Sequence, residues 1–200
     1  MSRATVAVLG AGTMGAGIAQ ACAAAGHPVL LFDIDEAARQ RGLDAISTSL
    51  ARFVRRETLS QAEAEATLAR VSPVSELSAI GPAETVIEAV PEVISIKRQV
   101  WEEAAGHAAA GALLATNTSS LSVTQIAAFT GDRAAGFCGL HFFNPVAMLP
   151  LVEVVRAQLT TQETMDRAIA FAEGIGKTPI SCSDTPGFIV NRLLIPYMND

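Results

Sequence analysis

Tryptophan and tyrosine occur once each in these 200 residues, cysteine three times, and charged side chains make up only 17%. So few cysteines exclude a disulfide-built scaffold. Cys22, Cys138 and Cys182 lie far apart in apolar surroundings with no C-x-x-C pair. They read as buried small side chains in a reducing compartment, and no metal site is expected. Long uninterrupted apolar runs are also missing, which argues against a bilayer span. No signal peptide precedes the first strand-like run at Thr5, so a cytoplasmic location is expected. Positive charge is in short supply. The net charge of −6 disfavours nucleic acid and anionic membranes as partners. What the chain has in quantity is apolar material, half of all residues. That suffices for the core of one large domain, or of one domain with part of another.

The most informative stretch is Gly10-Ala-Gly12-Thr13-Met14-Gly15, set between the apolar run Thr5–Leu9 and the Ala-rich segment Ala16–Ala25. This is G-x-G-x-x-G with a strand before it and a helix after it. Gly10 permits a tight turn, Gly12 lets a pyrophosphate approach the backbone, and Gly15 lets the helix pack close to the strand. The free N–H groups that open the helix then face the phosphate charge. Val29–Phe32 reads as the next buried strand and leads into Asp33. That acid stands about 20 residues on, where a carboxylate meets the adenosine ribose. It would accept from the ribose hydroxyls and repel a 2′-phosphate, and the nearest arginines, Arg39 and Arg41, lie further along. NAD is therefore expected as the cofactor rather than NADP. The competing use of Asp33 is to cap the helix Asp35–Arg55, for which Asp35 serves equally well.

Strand-like and helical runs alternate along the chain, the pattern of a Rossmann-like, doubly wound α/β fold with a mostly parallel sheet. A charged helical region, Glu36–Arg70, breaks near Thr58-Leu-Ser60 and carries the basic cluster Arg52, Arg55 and Arg56. Strands are expected at Val71–Val74, Thr85–Glu88, Leu113–Thr116, Ala134–His141, Leu151–Val155 and Thr178–Cys182, with helices at Val93–His107 and Thr161–Ile175. Asp184-Thr-Pro-Gly187 reads as a turn. Phe188–Met198 then looks like a helix, apolar on most sides, that needs something to pack against. The expectation is a shortened chain, or the N-terminal part of something larger; the alternative is that this helix folds back on its own sheet.

In open α/β sheets the ligand sits beyond the carboxyl ends of the strands. Asp33, Glu92, Ser119 and His141 fall at or just after such ends. His27, in a loop, and His107, at a helix end, read as solvated. His141 lies in the apolar run Gly139–Phe143, where an imidazole needs a partner or a task. If Leu151–Val155 returns antiparallel to Ala134–His141, at an antiparallel edge, Glu153 comes level with His141. A carboxylate on one ring nitrogen fixes the tautomer and leaves the other free to take a proton. Pattern alone leaves two readings open, a catalytic pair and a satisfied buried histidine. Ser119 and Ser120 either cap the next helix or reach a ligand hydroxyl. Lys97 reads on spacing as a solvated side chain. Asn191, in an apolar helix, reads as a buried amide that demands partners.

Taken together, Gly10–Gly15, Glu88-Ala-Val-Pro-Glu92, Asn117-Thr-Ser-Ser-Leu121, His141-Phe-Phe-Asn-Pro145, Leu151-Val-Glu153 and Asp184-Thr-Pro-Gly-Phe-Ile-Val-Asn-Arg192 resemble the L-3-hydroxyacyl-CoA dehydrogenases. Within them, the likeness is to the bacterial 3-hydroxybutyryl-CoA dehydrogenase branch. The resemblance runs through essentially the whole chain, in order. It implies reversible oxidation of the 3-hydroxyl of an acyl-CoA, with hydride passing to NAD. His141 is then the general base, Glu153 orients it, and Ser119 and Asn191 bond the reacting oxygen or hold the thioester region. Glu92, Lys97 and Asn144 match positions near the nicotinamide end of the cofactor, and Ser49 and Arg56 match positions near coenzyme A. Pro150 departs from the pattern, since many members carry lysine there. The resemblance also implies an NAD-binding domain over 1–184, with 185–200 as linker and first helix of a helical domain through which members form homodimers. An isolated cofactor domain is expected to bind NAD and turn over poorly. Two rival readings are a dehydrogenase of a sugar acid or carnitine-like alcohol, and a non-enzymatic dinucleotide-binding protein.

Overall fold

The computed structural model describes residues 3–199. Eight strands form one sheet in the order β3-β2-β1-β4-β5-β6-β7-β8. β1 (Val6–Leu9), β2 (Val29–Phe32), β3 (Val71–Val74), β4 (Thr85–Glu88), β5 (Leu113–Thr116) and β6 (Phe137–Phe142) run parallel. β7 (Leu151–Arg156) turns back against β6, and β8 (Thr178–Ser183) runs parallel to β7. Every residue of β1, β4, β5 and β6 is buried. That is why these runs show no polar alternation: parallel strands are covered on both faces. Strand order reverses between β1 and β4, and the reversal opens a crevice beyond their carboxyl ends.

The helices cover both faces. α1 (Thr13–Ala24), α2 (Glu36–Arg55), α3 (Gln61–Ala69) and α6 (Gln162–Gly174) contribute Ile18, Ile46, Ala64 and Met165 to a core cluster on one face. α4 (Ile94–His107) and α5 (Val123–Ala127) contribute Trp101 and Ile126 on the other. Local chemistry sets the helix starts. Asp35 caps α2 by accepting from Ala37 N at 3.0 Å, Ser60 and Glu63 form a reciprocal capping box on α3, and Thr161 caps α6. Pro73 is tolerated in β3 because that strand is an edge.

The Rossmann-like, doubly wound arrangement expected from the sequence is the one observed, with differences in detail. The antiparallel strand is not an edge, because β8 lies outside it. β6 begins at Phe137, since Ala134–Gly136 belong to 3-10 turns. His27 is buried, not solvated: its Nδ1 lies 2.7 Å from the Ala4 carbonyl oxygen and its ring packs near Phe171. Cys22 and Cys138 are buried as expected, whereas Cys182 is only half-buried on the last strand. α7 (Val190–Asn199) starts later than its apolar run and leaves Leu193, Tyr197 and Met198 exposed. Asn191 is half-buried rather than enclosed. Among the described residues no helix is long and apolar enough to cross a membrane, and no group of three or more potential metal ligands occurs.

β6 and β7 approach closely because Gly139 faces Val155. A Cβ at Gly139 would stand 2.8 Å from Val155 Cβ and 3.1 Å from Val123 Cγ2. Gly139→Ala is therefore expected to cost about 1–3 kcal/mol of stability through overpacking, seen as a lower thermal midpoint.

Candidate active site

Beyond β1, Gly10 takes φ 105°, and a Cβ there would meet the Ala89 carbonyl oxygen at 2.7 Å. A Cβ at Gly15 would lie 1.8 Å from the Gly10 carbonyl oxygen, so only glycine lets α1 start this close to the turn. Gly12, by contrast, faces open space, and no side chain caps the first N–H groups of α1. Those free donors and that space fit a pyrophosphate. Asp33 Oδ2 accepts from Ala11 N at 2.9 Å and Oδ1 from Asp35 N at 3.1 Å, so this acid ties β2 to the glycine turn while Asp35 caps α2. Arg39 reaches back to donate to the Asp33 carbonyl oxygen at 2.6 Å, closer than its sequence spacing suggests. Two cavities of about 370 and 410 Å³ share Gly10, Asp33, Ala38, Val90 and Pro91. Together they make a groove from the Ile34 side of Asp33, past Thr13 and Met14, to Glu92 and Ser119. The residues present fit an extended dinucleotide.

Behind the groove lies an enclosed charge cluster. Lys97, 1% exposed, donates to Glu88 Oε1 at 2.7 Å and lies 3.3 Å from Glu92 Oε2. This corrects its reading as a solvated side chain. Glu88 is fully buried and also accepts from Val90 N and Thr116 Oγ1. A signal was present: the sequence holds only two lysines, Lys97 and Lys177, and uses arginine elsewhere. Lys97 turns inward, whereas the half-buried Lys177 donates to the carbonyl oxygens of Val146 and Leu149. Glu92 Oε1 accepts from the Thr118 hydroxyl at 2.6 Å, the N–H groups of Ser119 and Ser120 at 2.8 and 3.0 Å, and the Ser120 hydroxyl. Partial burial works against its charge, but the Thr118 hydroxyl, Lys97 and the two N–H groups prevail and hold its carboxyl at about 2. Ser119 and Ser120 thus serve Glu92 and not a helix start; Ser122 caps α5.

The antiparallel register sets His141 across from Glu153. His141 Nδ1 lies 2.6 Å from Glu153 Oε2, and Nε2 lies 3.2 Å from Ser119 Oγ. Glu153 is fully buried, and His141 is 4% exposed. The second carboxylate oxygen of Glu153 accepts from Ile189 N and Val190 N at 2.9 and 2.8 Å, a contact that spacing does not disclose. Asn117 Oδ1 accepts from Phe142 N and so fixes the end of β6. The structure brings Ser119, His141 and Glu153 together. Asn144 and Asn191 make no side-chain hydrogen bond to them among the described residues. Ser49 and Arg56 lie at the C-terminal part of α2 and just beyond it, away from the groove residues. All three thiols are pushed up to about 12, chiefly by burial, so none supplies a nucleophile.

Residues 5–185 match the family model of the 3-hydroxyacyl-CoA dehydrogenase NAD-binding domain. The chain belongs to the 3-hydroxyacyl-CoA dehydrogenase family. It is 42% identical over 199 residues to the mitochondrial hydroxyacyl-coenzyme A dehydrogenase of Rattus norvegicus, covering 96% of this chain and 63% of that one. It is 43% identical over 198 residues to the 3-hydroxyadipyl-CoA dehydrogenase of Escherichia coli, covering 98% and 41%. The crystal structure of (S)-3-hydroxybutyryl-CoA dehydrogenase from Ralstonia eutropha superposes with a TM-score of 0.94 at 40% identity, covering 98% and 69%. The chain thus spans less than two thirds of the length of these curated relatives. Family membership makes this an NAD-binding domain.

In this family domain the depressed Glu92 carboxyl has a stability consequence. Its ordinary value is 4.5 and its folded value about 2, so its ionised form adds stability that is complete above 4.5 and lost as pH falls through about 2. Thermal midpoints measured across that window should fall more steeply for the wild type than for Glu92→Gln. Parallel curves would mean that the donors around Glu92 do not favour its charge.

Proposed function

We propose that the protein catalyses reversible NAD-dependent oxidation of an (S)-3-hydroxyacyl-CoA to the 3-oxoacyl-CoA. The observation that carries this reading is the Ser119–His141–Glu153 chain at the end of the dinucleotide groove. The bound NAD supplies a hydride acceptor for the carbon that bears the hydroxyl. Glu153 accepts from Nδ1–H and so presents Nε2 as the basic nitrogen. His141 takes the hydroxyl proton at Nε2 and returns it in the reverse direction. Ser119 Oγ, exposed to the groove, donates to the reacting oxygen and holds it beside Nε2. Glu92 and Lys97 fix the Ser119 loop at the nicotinamide end, with Asn144 beyond β6. Asn191 follows Val190, whose N–H contacts Glu153, and is assigned to the substrate oxygen or thioester.

Support for a CoA substrate comes from α2. Arg52, Arg55 and Arg56 are exposed, suited to phosphate, with Ser49 one turn earlier. Beside them is a largely apolar cavity of about 590 Å³ bordered by Leu50, Phe53, Leu59 and Lys177. The exposed apolar side chains of α7 suit residues 185–200 as the linker and first helix toward a helical domain.

The test is NADH consumption with acetoacetyl-CoA, measured on this chain and on the protein carrying the proposed helical domain, where turnover is expected to be full. His141→Ala is expected to lower turnover by about 100-fold or more, with NADH affinity within about twofold of wild type. Unchanged turnover in the variant would remove His141 as the base. Reduction of a keto sugar acid in place of acetoacetyl-CoA would shift the substrate class.

A further inference from the structure

Phe188 has φ 49° and follows Gly187 at φ 78°. A bulky side chain in left-handed backbone is strained, and it persists only where the surroundings hold it. Here they do. Phe188 N donates to the Thr185 carbonyl oxygen at 2.9 Å, Arg192 N donates to that of Gly187 at 3.0 Å, and the Phe188 ring is 4% exposed. A Cβ on Gly187 would stand 2.9 Å from Arg192 N, so the turn also depends on glycine.

The turn delivers two contacts to one place. Its next two N–H groups, Ile189 and Val190, are the donors to Glu153 Oε1. Its ring centroid lies 5.5 Å from that of His141, which also meets Phe143 at 4.6 Å. Burying a phenylalanine needs no positive φ. With relaxed backbone at Phe188, the two N–H groups would turn away and leave an oxygen of a fully buried carboxylate without donors, a costly state. The strain and the pair are therefore linked.

We propose that Phe188 is a positioning residue for the His141–Glu153 pair, its left-handed turn setting the ring against the imidazole and two N–H groups against the carboxylate. This rests on the assignment of His141 as the base. Phe188 acts through the histidine and touches neither hydride nor proton.

The experiment compares Phe188→Leu, Phe188→Tyr and wild type. Ring-nitrogen chemical shifts of His141 report its tautomer, with Glu153→Ala as the reference for a lost partner. Wild type and Phe188→Tyr are expected to show the single Nδ1–H tautomer, and Phe188→Leu a mixture. Turnover of Phe188→Leu should fall about tenfold with KM for NADH within about twofold, and Phe188→Tyr should restore it. If Phe188→Leu does not fold, as read by its thermal midpoint, Phe188→Met takes its place in the comparison. A folded ring-deleted variant with the wild-type tautomer overturns the proposal. The tautomer readout needs no turnover. If it responds as expected while the protein carrying the proposed helical domain leaves acetoacetyl-CoA untouched, the positioning stands and the substrate reading falls.

Discussion

Glu153 is fully enclosed and accepts three hydrogen bonds, one from His141 and two from the backbone that opens α7. An unpaired buried carboxylate would be expelled or neutralised, so each donor is a condition of the fold as well as of the site. Those conditions reach far along the chain. The antiparallel return of β7 places the carboxylate, Gly139 allows β6 to lie close enough, and Asp184 ties the following turn to the start of α5 through Ser122, Val123 and Thr124. The segment leading into α7 is thereby held at both ends by carboxylates.

A second carboxylate does matching work from the other side. Glu92 gathers the N–H groups of Ser119 and Ser120, and Lys97 holds it against Glu88. Ser119 and His141 meet at 3.2 Å only because these two independently anchored units converge. One is built on β4, α4 and the loop after β5, the other on β6, β7 and the start of α7. Glu92 is partly exposed, but its four hydrogen bonds and Lys97 hold it in place, and Glu153 is fully buried, a rigidity that suits the proposed proton transfer.

Much of this was legible in the sequence, and for definable reasons. The glycine turn, Asp33 and the parallel strands declare themselves through short-range pattern, and His141 with Glu153 followed from one assumption about strand direction. What stayed hidden depends on three-dimensional convergence. Spacing alone cannot show that Lys97 turns inward, because a helix offers it a solvated face as readily as a buried one. Nor can it show that His27 is fixed by the Ala4 carbonyl oxygen, or that backbone N–H groups of residues 189 and 190 serve Glu153. Donors from the main chain carry no side-chain signature.

Departures from simple folding rules are concentrated at the carboxyl ends of the strands. The cradle at Gly10, the enclosed Lys97, the buried Glu153 and the left-handed Phe188 all lie there. Elsewhere the chain largely follows local preference: α2, α3 and α6 start on Asp35, Ser60 and Thr161, and β3 accepts a proline at the sheet edge, although Glu57 is left-handed at φ 57° just past α2 and Pro196 lies inside α7. Trp101 Nε1, a buried donor with no partner among the described residues, is an exception away from the groove, and the structure gives no account of it. A sequence satisfied only with stability would spread such costs or remove them. Their clustering around one histidine and one groove marks the place where geometry is held at the expense of ease of folding, and it does so independently of any likeness to other proteins.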